Sequence, residues 1–83
     1  MPKKIIWNDR AKDELRAIDK PAAMRILYSL ARYCSTGEGD VKRLQGIEPP
    51  EFRLRVGDYR VRFHDSGEAL EVTGVKHRRE AYR

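Results

Sequence analysis

Four arginines at alternate positions of two neighbouring segments are the residues most able to do chemistry in this sequence. Arg53 and Arg55 lie in Phe52-Arg53-Leu54-Arg55-Val56, and Arg60 and Arg62 lie in Tyr59-Arg60-Val61-Arg62-Phe63. Guanidinium groups offer a planar fork matched to phosphate oxygens and keep their charge when partly desolvated. Only Gly57-Asp58 separates the segments, a two-residue hairpin signal of the Gly-first type. That turn fixes a register: Val56 opposite Tyr59, Arg55 opposite Arg60, Leu54 opposite Val61, Arg53 opposite Arg62, Phe52 opposite Phe63. Strand side chains alternate between faces. One face therefore carries Phe52, Leu54, Val56, Tyr59, Val61 and Phe63, ready to pack on helices, and the other carries all four arginines. Like charges directly opposite one another destabilise a sheet by roughly 0.2–1 kcal/mol per pair. Such a face needs counter-charges or a purpose. Glu71 and Glu51 are the candidates for counter-charge on a merely solvated face. The reading favoured is an open cationic platform for phosphates, extended by Lys76, Arg78 and Arg79, with Tyr82 as a stacking surface for a base.

Other chemistry is sparse. His77 stands between Lys76 and Arg78, and a neutral imidazole there can accept a proton, although an exposed histidine in a basic tail is the plainer reading. His64 reads as structural, at a strand end beside a turn. The two histidines lack metal-ligand spacing, and Cys34 is the single cysteine, so neither a cysteine-ligated zinc cluster nor an internal disulfide is expected. Cys34, Trp7 and Tyr33 read as core or core-edge residues. The sequence has no glycine-rich phosphate loop.

The elements that must position the arginines follow from periodicity. Lys4–Trp7 has strand character. Asn8 or Asp9 caps a helix through about Ile18, with Ala11, Leu15 and Ile18 at helical spacing. Pro21 suits the first turn of a second helix, on which Ala23, Ile26, Leu27, Leu30 and Cys34 repeat to about Ser35. Residues 36–50, opened by Gly37 and Gly39 and closed by Pro49-Pro50, read as a connection pinned by Leu44 and Ile47. After the hairpin, Asp65-Ser66-Gly67 turns the chain into a last strand from Ala69 to about Val75. The expected architecture is α+β: one domain over residues 1–83, a four-stranded, mostly antiparallel sheet in the order β-α-α-β-β-β, with a helical hairpin on one face. The 83 residues hold 18 Lys and Arg against 13 Asp and Glu, a net charge of +5. Such a chain has a thin core and suits a polyanion or an acidic protein partner. No 18-residue apolar run and no secretory signal are present, so a cytoplasmic protein without a membrane partner is expected.

FRLRVGDYRVRF followed by VKHRREAYR resembles the RelE/ParE superfamily of bacterial and archaeal toxins from toxin–antitoxin pairs, on its RelE-like side. The resemblance spans the whole chain, including a KRLQG-type connection at Lys42–Gly46. It implies a metal-independent, cofactor-free endoribonuclease that cuts mRNA on the ribosome. The partners it implies are the ribosome, mRNA and a wrapping acidic antitoxin in a hetero-oligomer. By residue, it places family basic positions, often lysines, at Arg53 and Arg55. The arginine of its GYR or DYR segment falls on Arg60, the basic residue after the last strand on Arg78 or Lys76, and the C-terminal tyrosine on Tyr82. Arginine practically cannot lose its proton. The general base is therefore left to His77, to Lys76 or to the ribosome. Two alternatives stand beside this: a ParE-like toxin that binds DNA gyrase without cutting RNA, and a non-toxic basic nucleic-acid-binding domain.

Overall fold

The computed structural model describes residues 3–81. Strand β1 (Lys4–Trp7) leads into helix α1 (Asp9–Arg16) and helix α2 (Lys20–Thr36). Strands β2 (Asp40–Leu44), β3 (Glu51–Val56), β4 (Tyr59–Asp65) and β5 (Ala69–His77) follow, then a single turn of helix, α3 (Arg78–Ala81). Both long helices start where their side-chain chemistry starts them. Asn8 Oδ1 accepts the Ala11 amide at 2.8 Å and Asp19 Oδ2 accepts the Ala22 amide at 3.1 Å, each satisfying an amide that the helix cannot. Pro21 occupies the first turn of α2, and Gly37, at φ +77°, ends that helix in the left-handed conformation.

The sheet has five strands, in the order β1-β5-β4-β3-β2. The expected count of four is corrected by β2, which lies within the segment read as a connection. Asp40-Val41-Lys42-Arg43-Leu44 carries only two apolar residues, so its own pattern is weak. Its strand conformation is set by antiparallel pairing with β3, Asp40 to Arg55 through Leu44 to Glu51. Charged side chains of this kind also suit a sheet edge. At the opposite edge β1 runs parallel to β5, Lys4 beside Ala69 and Trp7 beside Val72. The helical hairpin joins the two edges and covers one face.

The β3–β4 hairpin has the expected register throughout, from Val56–Tyr59 to Phe52–Phe63. Gly57 sits at φ +57° and, among the described residues, no non-glycine residue has positive φ, which is what a Gly-first turn requires. Under the helices, Leu54, Val61, Phe63, Leu70 and Val72 pack on Ala11, Ile26 and Leu30, all at most 1% exposed. Phe63 stacks on Phe52 and tilts against Tyr33, with ring centroids 5.6 Å apart in both pairs. A bulge between β4 and β5 sets Arg62 opposite Gly74 but Phe63 opposite Val72, leaving Thr73 as the extra residue. The Thr73 hydroxyl donates to the Arg62 carbonyl at 3.3 Å.

Candidate nucleic-acid interface

The registers draw two rows of side chains across the face that the helices leave uncovered. One row runs Lys42, Arg53, Arg62; the other runs Asp40, Arg55, Arg60, Lys76. Asp40, Lys42, Arg53, Arg55 and Arg60 line a hollow of about 110 Å³. Arg53, Arg55, Arg60 and Arg62 thus share a face as expected. Asp40 and Lys42 join them because β2 pairs with β3. Sequence reasoning missed both residues. The segment offers little signal of its own, since apolar Leu44 falls on the side of Asp40 and Lys42 and charged Arg43 on the side of Val41.

The expectation that all four arginines lie open needs one correction. Arg55 and Arg62 are exposed and Arg53 is half-buried, but Arg60 is only 5% exposed. Its guanidinium folds back over the hairpin turn, where Nη1 donates to the Gly57 and Tyr59 carbonyls, both at 3.1 Å. Both hydrogens of Nη1 are thereby engaged, while Nε and Nη2 retain theirs for a ligand. The turn holds this arginine in one orientation, so an anion meeting it has little side-chain freedom to remove.

Counter-charges sit at the rim. Glu51 Oε1 is 2.6 Å from Arg62 Nε, and its Oε2 is 3.3 Å from His64 Nε2. His64 Nδ1 lies 2.9 Å from the Pro50 carbonyl, to which it donates. Glu51 therefore fills the neutralising role open to it, and His64 is structural. Glu71 faces His64 across the ladder and makes no ion pair among the described residues.

The residues expected to extend the platform beside the last strand lie in β5 (Lys76) and α3 (Arg78 and Arg79). Lys76 belongs to β5, in register with Arg60, but its ammonium is drawn to Glu14 of α1. Glu14 also accepts the Val75 amide at 2.9 Å. Burial alone would raise the Glu14 carboxyl, but the bonds from Lys76 and Val75 and the nearby Arg10 hold it below its ordinary value of 4.5. His77 lies on the helix-covered side, its ring edge-on to Tyr59 with centroids 5.4 Å apart, and its Nδ1 accepts the Arg79 amide at 3.3 Å. It lines a separate cavity of about 240 Å³ with Asp19, Arg25 and Asp58. The structure thus divides His77 from the arginine hollow by the thickness of the sheet. Arg78 is exposed beside the hairpin turn, with Nε 3.8 Å from Asp58 and its amide donating to the Asp58 carbonyl at 2.7 Å. Arg79 is exposed. Tyr82 lies outside the described residues. Cys34 is half-buried against the core, and burial raises its thiol above the ordinary value. Among the described residues no group of three His, Cys, Asp or Glu side chains is placed to hold a metal ion. No helix among them is long and apolar enough to cross a membrane.

Residues 5–82 match the family model described as the ParE toxin of the type II toxin–antitoxin system, parDE. A search of curated proteins finds no match. Among solved structures, the chain is similar to the RelB–RelE antitoxin–toxin complex of Methanococcus jannaschii, with 20% identity over 93% of this chain and 94% of that one and a TM-score of 0.76. The archaeal RelE–RelB complex of Pyrococcus horikoshii is 21% identical over 94% of this chain and 97% of that chain, with a TM-score of 0.75. A mutant of E. coli toxin RelE in the free state is 18% identical over 99% and 90%, with a TM-score of 0.74. At these identities the likeness is one of fold.

Proposed function

The chain belongs to the ParE toxin family of type II toxin–antitoxin systems, within the RelE/ParE superfamily, and on that premise we propose that it is a metal-independent, ribosome-dependent mRNA endonuclease that inhibits translation in the cytoplasm. The observation that carries the proposal is the hollow on the uncovered sheet face, where Arg60 is held by the turn beside Arg53, Arg55 and Lys42. RNA cleavage without a metal uses the ribose 2′-OH as nucleophile on the adjacent phosphate. It needs a proton acceptor, cations for the charge that builds on phosphorus, and a donor for the departing 5′ oxygen. Arg53, Arg55 and Arg60 suit the cationic role. Arg62, Lys76, Arg78 and Arg79 extend the positive surface along which a ribosome-bound message is steered. Tyr82 supplies a ring on which a base stacks. The ribosome, itself a polyanion, orders the message, so positioning comes from the partner as well as from the toxin.

The partner that silences the protein is an acidic antitoxin, as RelB accompanies RelE in two of the similar structures. It folds on the toxin and covers the basic surface. The test is direct. Purified toxin is mixed with ribosomes programmed with a defined message, and the RNA is mapped for breaks. Cleavage at the codon next to be read supports the reading. An intact message, with growth arrest and DNA damage on expression, supports the second reading. That reading is a toxin that poisons DNA gyrase, and the match to a parDE family model favours it.

A further inference from the structure

The hollow contains two groups that the arginines cannot replace. Asp40 and Lys42 stand two residues apart on one side of the edge strand β2, facing Arg55 and Arg53 respectively. Among the described residues the Asp40 carboxylate makes no hydrogen bond or salt bridge. A carboxylate can accept a proton, whereas an arginine practically cannot give one up to become a base. A lysine ammonium carries three N–H donors and can give a proton. Two strand residues on one face are separated by about 7 Å along the chain. A base and an acid acting on the entering and departing oxygens of one phosphodiester must stand on opposite sides of its phosphorus, and two side chains with that spacing can do so. His77 is on the opposite face, and Lys76 is occupied by Glu14.

Building on the ribonuclease reading, we propose that Asp40 is the general base and Lys42 the general acid of the cleavage. Asp40 takes the proton from the ribose 2′-OH as that oxygen bonds to phosphorus. The phosphorus–O5′ bond breaks, and Lys42 gives its proton to the leaving O5′. The products are a 2′,3′-cyclic phosphate and a free 5′-hydroxyl. Exchange with water returns the proton to Lys42 and removes it from Asp40, so no cofactor is consumed. Arg53, Arg55 and Arg60 hold the non-bridging oxygens as their charge rises.

The test uses single-turnover cleavage on programmed ribosomes by wild type, Asp40→Asn and Lys42→Ala. Ribosome affinity is measured in parallel. Both side chains sit on an edge strand and point to solvent, so both variants should melt with wild type. Each should slow cleavage by about 10²–10⁴-fold, the usual weight of one acid or base, with ribosome affinity nearly unchanged. A message whose scissile O5′ is replaced by sulfur has a leaving group that needs no proton. On it the Lys42→Ala defect should vanish and the Asp40→Asn defect should persist. The proposal is overturned if Asp40→Asn cuts within about twofold of wild type, or if its defect disappears with the sulfur leaving group. A wild-type toxin that leaves both messages intact refutes the ribonuclease reading itself, and this assignment with it. Wild-type cleavage with an indifferent Asp40→Asn removes the assignment alone.

Discussion

Glu14 closes the free edge of β5, and removing it should be felt through the whole domain. β1 pairs with β5 only as far as Val72, so the Val75 amide has no strand partner on that side. Glu14 Oε1 supplies the acceptor and Oε2 holds Lys76, with side chains 16% and 32% exposed. In Glu14→Ala the Val75 amide, on a residue 4% exposed, loses its acceptor. An unmade hydrogen bond of this kind costs about 1–3 kcal/mol. The partly exposed ion pair adds at most about 1 kcal/mol. Alanine recovers a few tenths through helix propensity. The balance is about 2 kcal/mol, and at about 4–8 °C per kcal/mol for a domain of this size the melting midpoint should fall by roughly 8–16 °C. Glu14→Gln keeps an oxygen acceptor and loses only the charge, so it should fall by a few degrees. The pH dependence follows from the lowered carboxyl. Its contribution is complete above the ordinary value of 4.5 and is lost as pH drops through the lower folded value. Calorimetry or circular dichroism melts at pH 7 and pH 3.5 decide the matter. The reasoning fails if Glu14→Gln is as damaging as Glu14→Ala, or if the gap between wild type and Glu14→Gln does not narrow in acid.

Arg60→Ala should lower message cleavage by about 10²–10³-fold, as when one donor to a developing oxyanion is lost; its melting midpoint should fall as well, because the Gly57 and Tyr59 carbonyls lose their donor, so cleavage is compared at a temperature where circular dichroism shows both proteins folded. Deleting residues 78–83 should abolish growth arrest on expression but leave a folded protein by circular dichroism, because Arg78, Arg79 and Glu80 are exposed. Affinity for the antitoxin, measured by titration calorimetry, should weaken as salt is raised, since exposed charges are screened; an affinity indifferent to salt would mean an apolar interface. Lys3 and Asp65 pair at 2.5 Å, with the lysine raised above 10.5 and the carboxyl held below 3.8. Their mutual support should therefore be full between those values. It should be lost on one side as pH falls below the second and on the other as pH climbs past the first, and Lys3→Ala should flatten both limbs of a stability–pH curve.

The parts of the fold legible in the sequence are those where local chemistry and tertiary packing agree. The hairpin was readable to the register because two strictly alternating runs meet at Gly57-Asp58. Both helix starts were readable, the first because Asn8 or Asp9 can cap it and the second because Pro21 suits a first turn. β2 was not, because Asp40-Val41-Lys42-Arg43-Leu44 becomes a strand through its neighbour rather than through its own pattern. The parallel pairing of β1 with β5 leaves no local trace. At the site, alternation told which face each arginine takes but not how deep it sits, so Arg60 was read as open. Its burial depends on two turn carbonyls within reach of Nη1, a matter of rotamer rather than pattern. The bulge at Arg62 and Phe63 likewise shifts phase between β4 and β5 without a sequence signal.

The place of β5 in the sheet has a consequence for how the toxin is made. Last of the five described strands in chain order, it lies between β4 and β1 and carries the surface on which α1 rests. Until it emerges, β1 has no strand to pair with and α1 has no β5 to rest on. Contacts between the two ends of a chain form late and close the fold as a unit. A nascent chain still attached to its ribosome therefore carries its arginines on an unsupported hairpin. A chain cut short before β5 lacks the strand that completes the sheet.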